Sequence, residues 1–238
     1  MQASRSRGGD LTTDFKAVIA KTYKDQAIFF LNAFWPELGA AEAENVWKYE
    51  HKFEELDLEK KKEGNDLDEF NAHRFLEFWG ETKTVVALRE LLSELRLDRK
   101  KRMSLVEYLL VKYNQSVQEL LSRPQLEGGA LVVSEEMLKA QAALEAVNQE
   151  IQKIESRKEE LEAASAGSGV KAMQAKNELA QLLTQDNTAL NRALLTAEAA
   201  LRKAGGRPGP PGAIWWMGRE LEEMKKYKPQ SKGGVARK

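Results

Sequence analysis

The run Arg96 to Glu107, RLDRKKRMSLVE, has the frame of a twelve-residue EF-hand loop. With Glu107 at the last position, the oxygen ligands would come from Arg96, Asp98, Lys100, the carbonyl of Arg102, Ser104 and Glu107. Lys101 would take the sharp turn usually made by glycine. Only Asp98, Ser104 and Glu107 carry suitable side chains. Cations stand where carboxylates would neutralise a doubly charged ion, and like charges about 4 Å apart cost several kcal/mol at intermediate dielectric. Calcium is not expected to bind. Ser104 followed three residues on by Glu107 has instead the spacing of a capping box at a helix start.

Other chemistry-bearing groups reduce to local structure in the same way. Glu63, Asp66, Asp68 and Glu69 in EGNDLDEF have imperfect spacing for a metal site. Asn65 or Asp66 reads more simply as the N-cap of a helix carrying Phe70, Phe75 and Trp79. His51 and His73 are the only two histidines and are not at ligand spacing, and the chain has no cysteine. A disulfide framework, a thiolate zinc site and a cysteine nucleophile are thereby excluded. AGSGVK, Ala166 to Lys171, lacks the GK[ST] and the preceding strand of a phosphate loop and reads as a turn between helices. No nucleophile elbow, H-E-x-x-H or kinase signature is present, so no catalytic, cofactor-binding or metal-ligating residue is expected.

The elements around these groups are helical. Of the 238 residues 42% are hydrophobic and 31% charged, and 37 Lys and Arg balance 37 Asp and Glu. This zero net charge argues against a general nucleic-acid binder. The most apolar stretch, Ala27 to Trp35, is about half of what a membrane span needs, and Met1 to Asp10 lacks the apolar core of a secretory signal and reads as a tail. An intracellular all-α protein is expected. From Leu11 to Ser122 apolar residues recur at helical spacing, with breaks at Pro36, Gly64 and Asn65, Gly80 and the charged loop Asp98 to Arg102. Phe29, Phe30, Phe34, Trp35, Trp47, Phe53, Phe70, Phe75, Phe78 and Trp79 suffice to fill a compact core there.

After a linker over 123–133, Ser134 caps a long helix. Met137, Ala140, Leu144, Val147, Ile151, Ile154 and Leu161 form its apolar seam, which Lys158 interrupts. A second stripe runs through Ala180, Leu183, Asn187, Leu190, Leu194, Ala197 and Leu201, with Asn187 as a register-setting polar position. The short turn between them, Ala163 to Gly169, predicts an antiparallel helical hairpin over 134–204. GGRPGPPG over 205–212 reads as a linker. Beyond it Trp215 and Trp216 precede a short helix, Arg219 to Tyr227, and a basic end that includes Lys225, Lys226, Lys228 and Lys232. Two adjacent indoles are costly to leave in water and must dock on the protein's own core or on a partner.

Several segments, in order, resemble the calcium-regulated actin-bundling protein family: QAIFFLNAFW at Gln26 to Trp35, EGNDLD at Glu63 to Asp68, EYLLVKY at Glu107 to Tyr113, ALEAVN at Ala143 to Asn148, AEAALR at Ala197 to Arg202, and GAIWWMGRELEEMKKY at Gly212 to Tyr227. The last is the most specific. The resemblance implies an EF-hand-like helical N-terminal domain (11–122), a long helical part and a Trp-rich terminal segment (213–238), in a non-enzymatic cytoplasmic protein that joins actin filaments side by side. The loop at Arg96 to Glu107 departs from the family pattern, so calcium regulation is expected to be lost. Actin is acidic on average, so Lys225, Lys226, Lys228 and Lys232, with Trp215 and Trp216, are the candidate partner contacts. Cross-linking needs two binding surfaces, on one chain or on two self-associated copies. The alternative reading keeps the scaffold and changes the partner to a microtubule-based assembly such as a flagellar axoneme.

Overall fold

The computed structural model describes residues 11–81, 102–123, 134–184, 186–206 and 209–229. The expectations for the tail 1–10, for most of the linker 123–133, and for Arg96, Asp98, Lys100, Lys101 and Lys232 fall outside these residues. Two compact units emerge. The first takes in the chain up to Val132 and Pro210–Ala213, the second Val133–Gly209 and Ile214 onward.

In the first unit, α1 (Leu11–Ile19) is followed by α2 (Tyr23–Leu56). Thr22 caps α2, its hydroxyl accepting from the Asp25 backbone N–H. Pro36 does not end this helix. Proline cannot donate to the carbonyl four residues back and crowds it, and the chain answers by leaving helical geometry at Phe34 and Gly39 and then resuming. Gly39 adopts φ +60°, a conformation that glycine reaches without steric penalty. After a 3-10 turn (Lys61–Glu63) come β1 (Leu67–Asp68) and α3 (Glu69–Phe78), then β2 (Arg102–Met103), α4 (Leu105–Lys112) and α5 (Val117–Ser122). β1 and β2 pair antiparallel, Leu67 opposite Met103 and Asp68 opposite Arg102. Each strand leads directly into a helix N-cap, Asp68 for α3 and Ser104 for α4.

The core of this unit is aromatic. Phe30, Phe34, Phe53 and Phe75 are fully buried. Phe75 meets Phe53 at 4.5 Å and Tyr108 at 4.7 Å, edge to face. Such pairs add about 0.5–1.5 kcal/mol beyond the area they bury. Two of the expected core residues lie outside it: Phe70 is 70% and Phe78 60% exposed. Only one side of α3 faces the core, the side of Ala72, Phe75 and Leu76. Phe70 and Phe78 fall off it and carry Arg74 and Lys52 over their rings.

In the second unit, α6 (Glu135–Ser165) starts at Ser134, whose hydroxyl accepts from Met137 N–H at 3.2 Å. It turns over Ala166 to Gly169, where Gly169 has φ +93°. The return path is broken. In place of one continuous second helix the chain forms α7 (Val170–Thr184) and α8 (Thr188–Gly205), both packed along α6. Asn187 is not a polar residue within the seam but the N-cap of α8, its Oδ1 accepting from Leu190 N–H at 3.0 Å. The stripe is rephased accordingly: Ala172 and Ala175 are buried in α7 while Ala180 is exposed, and Leu190, Ala197 and Ala204 are buried at heptad spacing in α8. Nor does Lys158 interrupt the α6 seam. Its stem is buried with the seam residues and its amine reaches Glu155.

The expected linker 205–212 is helical at both ends. α8 runs through Gly205, and α9 (Pro211–Lys225) begins with a proline at its first position, where a missing N–H costs nothing. The two tryptophans therefore lie inside a helix rather than before one. Gly212 and Ala213 belong to the first unit: Ala213 N–H donates to Asn32 Oδ1 at 3.0 Å, and a Cβ on Gly212 would sit 2.7 Å from Leu31 Cβ.

Candidate functional site

Two regions carry the residues singled out by sequence. The first is the pair of strand-to-helix junctions in the first unit. Ser104 and Glu107 form the capping box that their spacing predicts: the Ser104 hydroxyl accepts from Glu107 N–H, and Glu107 Oε2 accepts from Ser104 N–H and Oγ–H, both at 2.7 Å. Glu107 is 1% exposed. Arg102 reaches across to the other junction, its Nε 2.8 Å from Asp66 Oδ1 and a terminal nitrogen at 2.6 Å from the same oxygen.

In the opposite loop each aspartate is also engaged. Asp57 accepts from Lys60 N–H and from the Tyr23 hydroxyl at 2.9 Å, and Asp68 accepts from Asn71 N–H at 2.8 Å. Burial and Asp57 together push the Tyr23 phenol well above its ordinary range. Asp68, not Asn65 or Asp66, is thus the cap of α3. Gly64 is required by close approach, since a Cβ there would lie 2.2 Å from Asp57 Oδ2.

The residue that ties these junctions together was not singled out by sequence. Gln26 is fully buried. Its Nε2 donates toward the carbonyls of Ile19, Lys21 and Asn65 at 2.7–3.0 Å, and its Oε1 accepts from Val106 N–H at 3.0 Å. A glutamine inside an apolar run, QAIFF, is the one local sign of it. A divalent cation would need several of these carboxylates free. The Asp66–Arg102 pair, the caps at Asp68 and Glu107 and the Tyr23–Asp57 bond do not fit a calcium site. Among the described residues no three acidic or histidine side chains are placed to hold a metal. His51 and His73 both fall on helices, α2 and α3. His51 Nδ1 lies 2.7 Å from Glu50 Oε2.

The second region is the terminal helix. Trp216 is 1% exposed and Trp215 half-buried, their rings 6.3 Å apart edge to face. Lys225 Nζ sits 3.0 Å from Glu222 and 3.5 Å from Glu198 on α8, and Lys226 lies 3.1 Å from Glu223. The Glu222 hydrogen bond raises the Lys225 pKa. Tyr227 donates its hydroxyl to Glu155 of α6. Lys228 is exposed. Of the six terminal candidates, then, Trp216 is a packing residue and Lys225 is held within the unit, while Lys226 and Lys228 face solvent.

Residues 102–206 match the family model described as F actin bundling C terminal. Along 269 aligned positions the chain is 32% identical to the calcium-regulated actin-bundling protein of Dictyostelium discoideum, covering 92% of this chain and 90% of the relative. The chain belongs to the calcium-regulated actin-bundling protein family. The crystal structure of the 34 kDa F-actin bundling protein from Dictyostelium discoideum superposes with a TM-score of 0.77 at 32% identity, over 95% of this chain and 100% of that one. The family resemblance and the all-helical fold read from the sequence therefore hold. The loop frame of this chain carries Arg96, Lys100 and Lys101, and the Arg102 guanidinium pairs with Asp66.

Proposed function

We propose that this protein is a non-enzymatic cross-linker of actin filaments in the cytoplasmic cytoskeleton, and that its bundling is independent of calcium. The observation that carries the first part is family membership across 92% of the chain. Supporting the second is the donor set: a guanidinium occupies Asp66, and the Glu107 carboxylate is committed to the α4 cap. The solvent-facing lysines Lys226 and Lys228, with Lys232 beyond them and the half-buried Trp215, are proposed filament contacts, where positive charge meets an acidic partner. Bundling requires two such surfaces, supplied by one chain or by two self-associated copies. No observation favours the microtubule-based alternative.

The test is sedimentation with actin filaments. High-speed pelleting reports binding and low-speed pelleting reports bundles, each run in calcium and in chelator. Both are expected in both conditions. Loss of pelleting would refute the filament reading, and bundling that changes with calcium would refute the second part.

A further inference from the structure

In the second unit, an open trough of about 420 Å³ runs between the start of α6 and the side of α8. Lys139 of α6 and Arg192, Leu195 and Lys203 of α8 line it, over a half-buried floor of Ala199 and Ala200. Leu195 stands 68% exposed in the middle of this cationic rim. Lys139 is already paired with Glu135 at 2.6 Å. Arg192 and Lys203 have no acidic partner among the described residues, and the one carboxylate lining the trough is Glu136. Eleven residues apart on one helix, the two cations are separated by roughly 16 Å along its axis.

We propose that this trough is a docking site for an acidic amphipathic segment on the actin filament, with carboxylates meeting Arg192 and Lys203 and an apolar side chain covering Leu195. The proposal rests on the filament-binding reading above and adds the surface and the chemistry of the contact. Shape and charge agree on the occupant. An apolar trough with positive ends accepts an amphipathic segment whose charged positions are acidic. A cationic or purely polar segment would leave either the rim or the leucine unmatched.

The full-length chain is sedimented with actin filaments at several salt concentrations. The double variant Arg192→Glu with Lys203→Glu is expected to weaken binding by about tenfold or more at low salt, with a flatter salt dependence than the wild type. Leu195→Ala is expected to weaken it by roughly threefold at all salts, because the apolar contact is not screened. Lys171→Glu with Lys176→Glu, exposed on α7, makes the same change in net charge and is expected to bind within about twofold of wild type. Far-UV circular dichroism and thermal melting verify each fold. Should the reversed variant not fold, Arg192→Gln with Lys203→Gln takes its place. If wild type pellets and the trough variants pellet equally well, or if the α7 control loses as much, the proposal is overturned while the filament reading stands. If wild type does not pellet, both fall.

Discussion

The two units solve the same problem, burying a buried polar residue among apolar neighbours, in opposite ways. In the first, Gln26 is sealed in the core and its amide links the end of α1, the loop at Asn65 and the start of α4, the last 80 residues from it in sequence. In the second, Lys158 lies in the α6 seam but extends its amine to Glu155, three residues away on the same helix. The buried polar residue of the first unit is therefore held by non-local hydrogen bonds, and that of the second by a local one.

The contrast is sharpened most by aromatic truncation. Phe75→Ala removes the hub of the Phe53, Tyr49 and Tyr108 cluster and is expected to cost the first unit about 4 kcal/mol in denaturant unfolding. If Leu190→Ala in the second unit cost as much, the distinction would be lost. Next comes Gln26→Leu, which strands the buried Val106 N–H and removes the amide donor from the carbonyls beside it. A loss of about 3 kcal/mol is expected, whereas a change below about 1 kcal/mol would mean that the linked junctions hold without their hub. Asn187→Ala removes one N-cap and is expected to lower second-unit stability by about 1 kcal/mol, seen as a shifted helical melting transition, with Asn187→Asp close to neutral. An effect near zero would return Asn187 to the role of a dispensable loop residue.

The smallest effect is a pH dependence. Burial, reinforced by Glu50, pushes Glu54 up to about 7. Burial alone would lower His51, but the Glu50 carboxylate beside it outweighs burial and the His51 pKa is raised. The signs agree. A carboxyl held above its unfolded value is penalised once ionised, so stability falls as pH rises from about 4.5 through about 7. A histidine held above its unfolded value contributes stability below about 6.5 and loses it as pH climbs through the raised value. Lys62 lessens the Glu54 penalty, and the partial exposure of Glu54, His51 and Lys62 screens their interactions. The first unit is expected to lose under about 1 kcal/mol between pH 5 and pH 8, and Glu54→Gln is expected to remove most of that slope. A midpoint that rises with pH would contradict the assignment.

What was legible in the sequence followed the range of the interaction. The α6 seam, the Ser134 cap and the Ser104–Glu107 box are set by residues three to four apart, and periodicity finds them. The break before α8 was equally local: Asp186 and Asn187 sit in a polar run, TQDNT, and Asn187 competes with helix by capping Leu190. The apolar stripe that continues on both sides of this run masks the break. Phe70 and Phe78 failed as core residues because hydrophobicity does not say which side of α3 faces inward. Gln26 and the Asp66–Arg102 pair lay out of reach, since their partners come together only once β1 and β2 register. The Trp-rich run identified the family but not the helix that holds it, because Pro211 read as linker and acts as a helix start.

The central claim, a cross-linker of filaments that bundles them independently of calcium, is tested most directly by low-speed sedimentation of actin filaments with the full-length protein, in calcium and in chelator. Bundles pelleting to the same extent in both are predicted. Absence of bundles in both, or a pellet that appears in only one, would contradict it.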